Sequence, residues 1–179
     1  PKGVDKPLLA EAQVTFSGEA VAMVIAQTLA EARDAAELVA VDYEDLPAAG
    51  TLAAAPDAPA IFDGIANNES FDWVNGNEAA TNAAFAAAAH TASIDVVQNR
   101  IVVNSMETRN AIGLYDSAAD TYELYSGSQG AGGLRGRLAG TVGIAEDKLR
   151  VVTPDVGGGF GMKAGAYPEQ ALVLLAAKI

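Results

Sequence analysis

The sequence has 179 residues, half of them hydrophobic, enough to bury a core in one ordinary domain or two small ones. A formal net charge of −12 argues against a nucleic-acid or anionic-membrane surface, because no basic patch offsets repulsion from phosphates. The absence of cysteine excludes disulfides, thiolate metal sites and an iron–sulfur cluster held by this chain, and the single histidine, His90, cannot make a zinc site alone.

Residues 14–16 and 21–25 are β-prone runs separated by Ser17-Gly18-Glu19, a turn-rich break. Thr28 and Glu31 have capping-box spacing, so a helix is expected from residue 29 to about 39, followed by a strand at Val41-Asp42-Tyr43. Pro47, Gly50, Pro56 and Pro59 then make an Ala/Pro/Gly-rich connector, which divides the chain into residues 1–58 and residues 59–179. Asn77 caps an alanine-rich helix expected over 78–90, with His90 as an ordinary helix-end residue.

Strands are expected over 91–103, 111–115 and 122–126, where β-branched and aromatic residues recur between turn signals such as Asp116-Ser117. Leu134, Leu138 and Val142 recur every four residues and mark a helix face despite four nearby glycines. Arg135 and Arg137 fall on its solvated side. A strand at 149–152 and a helix beginning near Pro168 complete a mixed α/β (α+β) pattern without repeats. No apolar run is long enough to span a bilayer and no targeting segment opens the chain, so a cytoplasmic protein is expected. Pro1 in place of Met, and a helical pattern running into Ile179, read as cuts at both ends.

The chemistry concentrates in Pro154-Asp155-Val156-Gly157-Gly158-Gly159-Phe160-Gly161-Met162-Lys163. Four glycines in five residues carry a high entropic cost, which marks positive φ angles or a backbone in close approach to something. Amides in such a loop can donate to an anionic or oxo-bearing ligand. A P-loop fails, because Met162 precedes Lys163 and Ala164 replaces the Ser or Thr that would hold magnesium. A dinucleotide-binding turn remains open through Gly159, Gly161 and Ala164, as does a purely structural glycine turn.

The stretch from Val152 to Lys163, continuing through Tyr167-Pro168-Glu169, resembles the Gly-Gly-Phe-Gly segment of molybdenum hydroxylase large subunits of the xanthine dehydrogenase/aldehyde oxidase type, especially the bacterial carbon monoxide dehydrogenase-like branch. Ser126-Gly127-Ser128-Gln129 followed by Arg135 is similar to that family's Ser-x-x-Gln segment, and Met106-Glu107-Thr108-Arg109 to its Met-Glu-Pro-Arg segment. Gly18-Glu19-Ala20-Val21-Ala22 with Val41-Asp42-Tyr43-Glu44 resembles the end of its α/β-hammerhead domain. The departures are Thr108 and Ala20 in place of prolines, and Gly130-Ala131 where a proline normally follows the glutamine.

The resemblance implies the C-terminal part of a hammerhead domain in 1–58 and the N-terminal part of a molybdenum-cofactor-binding domain in 59–179. It implies a molybdenum–molybdopterin cofactor, in its cytosine dinucleotide form, contacted by Gln129, Gly158, Gly159, Phe160 and Gly161. Gln129 inherits a hydrogen bond to the apical oxo ligand, for which an amide NH₂ is a suitable donor. The implied parent is an oxidoreductase that oxidises an aldehyde, N-heterocycle or similar small molecule with water-derived oxygen, alongside iron–sulfur and FAD subunits or domains.

The family's general-base glutamate lies downstream of this chain, and Ala164 stands where purine-type members carry a glutamate, which disfavours a xanthine-like substrate. No residue here is read as catalytic. Glu107 is expected in a structural ion pair with Arg109, and Glu169 at a helix start, where its charge suits the helix dipole. The competing reading is a non-catalytic interaction module without bound cofactor. Strands without neighbours also imply a homodimer through exposed edges.

Overall fold

The computed structural model describes Val4 and residues 6–98 and 101–179. They fall into two compact units, one combining Pro1–Asp5 with Tyr43–Ile101 and one combining Lys6–Asp42 with Val102–Ile179. The fold is mixed α/β, with four helices and one three-stranded sheet among the described residues.

In the second unit, the first helix, α1 (Leu29–Glu37), begins as its cap predicts. Thr28 Oγ1 accepts from the Glu31 amide at 3.2 Å, and the Glu31 carboxylate accepts from the Thr28 amide at 3.0 Å, so two amides that the helix itself leaves unpaired are both satisfied. The strands expected at 14–16, 21–25 and 41–43 do not form. A β-prone run becomes a strand only when a neighbour supplies the ladder, and among the described residues none of these runs sits in a strand ladder; nearby, Ala10 N donates to Ala20 O at 2.8 Å.

The sheet has the order β1 (Ile112–Asp116), β2 (Thr121–Tyr125), β3 (Leu149–Val152), the first pair antiparallel and the second parallel. Along β2 the side chains alternate, so Tyr122 and Leu124 enter the core. There they meet Leu134 and Leu138 of α3 (Ala131–Val142), Leu149 of β3, and Ala171 and Leu174 of α4 (Pro168–Ala176). The apolar face repeating every four residues carries α3 through its glycines, each about 1 kcal/mol less favourable than alanine, and Gly143, left-handed at φ 72°, ends it. Pro168 opens α4 at a position where a missing N–H costs nothing. That helix closes at Ala176, short of Ile179.

The other unit has little core of its own. Its helix α2 (Glu78–Ala87) starts where expected, with the Asn77 side chain accepting from the Ala80 amide at 2.9 Å, but ends three residues before His90 and buries no residue. Ile65 is the buried hydrophobic of this unit among the described residues, while Phe71, Trp73 and Phe85 are exposed. The strand expected over 91–103 is absent wherever those residues are described; Asn99 and Arg100 lie outside the described set. Among the described residues no helix is long and apolar enough to cross a membrane.

Candidate functional site

Because β2 and β3 run parallel, with Tyr125 opposite Val152, the segments leaving them emerge from the same edge of the sheet. Loops at the carboxyl ends of parallel strands are where α/β sheets build their binding sites. The exits are stitched together, as the Ser126 amide donates to Val152 O at 3.1 Å and Thr153 Oγ1 to Ser126 O at 3.1 Å. Ser126, 2% exposed, also donates to Asn110 O at 2.7 Å and accepts from Gln170 Nε2 at 3.0 Å. That buried network ties the start of the Ser-x-x-Gln segment to α4.

All five residues singled out in the sequence meet here. Gln129 Oε1 accepts from the amides of Gly161 at 2.9 Å and Lys163 at 3.2 Å, and the Gln129 amide donates to Lys163 O at 3.0 Å. A Cβ at Gly159 would lie 2.5 Å from the Gln129 side-chain carbon, so this glycine makes room for Gln129 itself. The Phe160 ring covers Gly158, while Phe160 is 75% exposed and holds a left-handed φ of 50°. Such a backbone for a bulky residue is strained and persists only where its surroundings impose it.

With Oε1 committed to the loop, Gln129 has its Nε2 donors left without a partner among the described residues. The segment therefore presents an exposed amide NH₂ beside an exposed aromatic ring on a fixed loop. The dinucleotide-binding alternative does not survive, because α4 begins at Pro168, past Ala164, instead of growing directly from the glycine turn. Nor does Lys163 reach for a phosphate, as its side chain is fully buried.

The expected Glu107–Arg109 ion pair is replaced by two others. The bend at Met106 and Glu107 sends the side chains to different partners. Arg109 Nε meets Glu169 Oε1 at 2.7 Å and its guanidinium lies 3.8 Å from the centre of the Tyr167 ring, whereas Glu107 accepts from Asn110 Nδ2 at 3.1 Å and faces Lys163 Nζ at 3.9 Å. Glu169 does sit in the first turn of α4, as expected. Arg135 and Arg137 are exposed on α3, the former paired with Glu146 at 2.7 Å and the latter donating to Ala164 O at 3.1 Å.

The sequence offered no sign that Lys163, Ser105 and Gln170 would be buried supports of the site, since burial arises only when distant segments meet. A cavity of about 250 Å³, lined in part by Ser105, Arg109 and Met162, adjoins the loop and is too small for a dinucleotide-sized group. The site is thus a shelf on this chain. Among the described residues no group of three or more His, Asp or Glu could hold a metal ion.

Comparison with known proteins gives the same direction. Residues 61–179 match the molybdopterin cofactor-binding domain, and residues 2–47 match the a/b hammerhead domain of aldehyde oxidase and xanthine dehydrogenase. This chain belongs to the molybdenum hydroxylase large-subunit family. The carbon monoxide dehydrogenase large chain of Hydrogenophaga pseudoflava is 34% identical over 94% of this chain and 23% of its own length. The nicotine 6-hydroxylase large subunit of Paenarthrobacter nicotinovorans is 33% identical over 96% of this chain and 21% of its own length. A solved Cu,Mo-CO dehydrogenase matches with a TM-score of 0.85 and 31% identity, over 96% of this chain and 23% of that one. The chain therefore spans less than a quarter of the length of these relatives.

Proposed function

We propose that this chain supplies one wall of a molybdenum-cofactor pocket in an oxidoreductase that oxidises an aldehyde, an N-heterocycle or a similarly small molecule with water-derived oxygen. The observation that carries the reading is the two-sided use of Gln129: its carbonyl oxygen is clamped by the Gly161 and Lys163 amides, which leaves its NH₂ as a fixed donor. The donor set fits the group. A neutral amide, the loop amides and the Phe160 ring suit a metal-oxo centre carried on a pterin.

The bound cofactor would supply the two-electron redox chemistry. Gln129 would hold it by a hydrogen bond, Gly158, Gly159 and Gly161 would bring backbone close to it, and Phe160 would cover it from solvent. Glu107 is already engaged by Asn110 and Lys163 and supplies no base. We assign the cytosine dinucleotide form of the cofactor and iron–sulfur and FAD partners on the resemblance to the carbon monoxide dehydrogenase branch. We likewise assign residues 1–58 to the hammerhead part and 59–179 to the cofactor-binding part, which the limits of the two family matches support.

In the full-length protein with its partners, Gln129→Leu is expected to lower molybdenum-dependent turnover or molybdenum retention about 10- to 100-fold, the usual consequence of losing an outer-shell hydrogen bond. Steady-state kinetics with metal analysis checks this; native turnover and native metal content in the variant would overturn the assignment. A second reading is favoured by the exposure of Phe71, Trp73 and Val74. On it, the isolated chain is a non-catalytic module that binds no cofactor and associates with itself through apolar surface and sheet edges. Molybdenum and pterin retained in stoichiometric amount by the isolated chain would rule it out.

A further inference from the structure

Lys163 is 2% exposed, with its side chain entirely buried. A desolvated ammonium costs several kcal/mol unless its donors are satisfied, so such a lysine persists where its contacts hold something in place. Its Nζ donates to Val156 O at the head of the glycine loop and lies 3.9 Å from Glu107 Oε1. Its main chain, at the tail of the same loop, brackets Gln129, with N donating to Oε1 and O accepting from the Gln129 amide. One residue therefore joins the two ends of the loop to each other and to the glutamine.

The surrounding sequence is shaped to admit this lysine. A Cβ at Gly127 would lie 3.4 Å from Lys163 Nζ and 3.3 Å from Glu107 Oε1. At Gly157 a Cβ would collide with Glu107 itself. Glu107 is fixed by its backbone as well, its amide donating to Gly157 O at 3.3 Å. The glycine in Ser-x-x-Gln and the first glycine of the loop thus both serve the carboxylate–ammonium contact.

We propose that Lys163 is the positioning residue of the site, holding the glycine loop and Gln129 in register so that the glutamine NH₂ points at the cofactor; the inference rests on the cofactor reading above. Lys163 touches no reacting group. It acts through Val156, Glu107 and Gln129, and a lysine whose only task was to fill the interior would leave the electronic surroundings of the metal unchanged.

The test uses the full-length protein with its partner subunits and compares the native protein with Lys163→Met and Gly127→Ala. Amide exchange over residues 154–163 reports the loop, and the Mo(V) paramagnetic resonance spectrum with metal analysis reports the cofactor. Lys163→Met is expected to speed loop exchange, to lower molybdenum retention about tenfold or more and to shift the spectrum of the metal that remains. Gly127→Ala keeps every charge and should give a smaller change in the same direction, and it decides the matter if the methionine variant does not fold. Native exchange and a native spectrum in a folded variant would overturn the proposal. If the native protein holds no molybdenum, the cofactor reading fails, and exchange still decides whether Lys163 holds the loop.

Discussion

Leu124→Ala is expected to destabilise the sheet-bearing unit by about 2–5 kcal/mol, the range for truncating a fully buried leucine whose neighbours cannot close the cavity. Leu124 is 0% exposed in the middle strand, with α3 and α4 packed into the same core through Leu138, 1% exposed, and Leu174, 0% exposed. Those helices are also held elsewhere, α3 through Arg135 with Glu146 and Arg137 with Ala164 O, α4 through Gln170 with Ser126 and Glu169 with Arg109. The effect reaches the site, because Ser126, just past the end of the strand, holds Asn110 and Gln170, and the chain then enters Gln129. Chemical denaturation followed by circular dichroism measures the loss, with Leu52→Ala as control. Leu52 is 94% exposed, and its truncation should change stability by no more than about 0.5 kcal/mol. Equal midpoints for the two variants would show that the core does not depend on Leu124.

The same packing explains which parts of the fold could be read in the sequence. The helices α1 and α2 announced themselves through Thr28 with Glu31 and through Asn77, because a cap is a contact between residues three positions apart. The helix α3 was legible through Leu134 and Leu138 for the same local reason. Strands behave differently. The runs at 112–116 and 121–125 formed because a tight turn at Asp116, whose carboxylate accepts from the Ala118 and Ala119 amides at 2.9 and 3.2 Å, brings each to the other. The runs at 14–16, 21–25 and 91–98 are no less β-prone, but no partner strand lies beside them among the described residues.

The site divides along the same line. Gln129 and the loop residues stood out because family resemblance is carried in contiguous motifs. Their supports did not, because Lys163 and Glu107, or Arg109 and Glu169, become neighbours only after β2 and β3 align and α4 folds back. The glycines show how far local reasoning goes. Their number signalled a crowded backbone, but the sequence could not say what crowds it, and at Gly157 and Gly159 it is the chain's own Glu107 and Gln129. Of the four glycines in the loop, Gly161 alone has a Cβ position that meets nothing within 4 Å.

That contrast makes Gly157→Ala and Gly161→Ala an informative pair. Both positions have left-handed backbones, with φ 56° and 86°, so alanine costs about 1–2 kcal/mol at each. At Gly157 the new methyl also collides with the Glu107 Cβ, which adds overpacking of about 1–3 kcal/mol. The native loop should therefore be disfavoured by about 2–5 kcal/mol in Gly157→Ala. Since Glu107 cannot retreat without leaving Asn110 and Lys163, the loop must move instead, carrying Gly159 away from Gln129. In the full-length protein Gly157→Ala is expected to lose most of its molybdenum. Gly161→Ala should keep the register of the loop, so that any loss it shows comes from the methyl standing between the loop and whatever approaches it. Metal analysis with amide exchange separates the two: loop exchange rises strongly in Gly157→Ala and little in Gly161→Ala. Equal exchange in both would mean that the left-handed backbone alone, and not the packing of Glu107, sets the cost of a side chain in this loop.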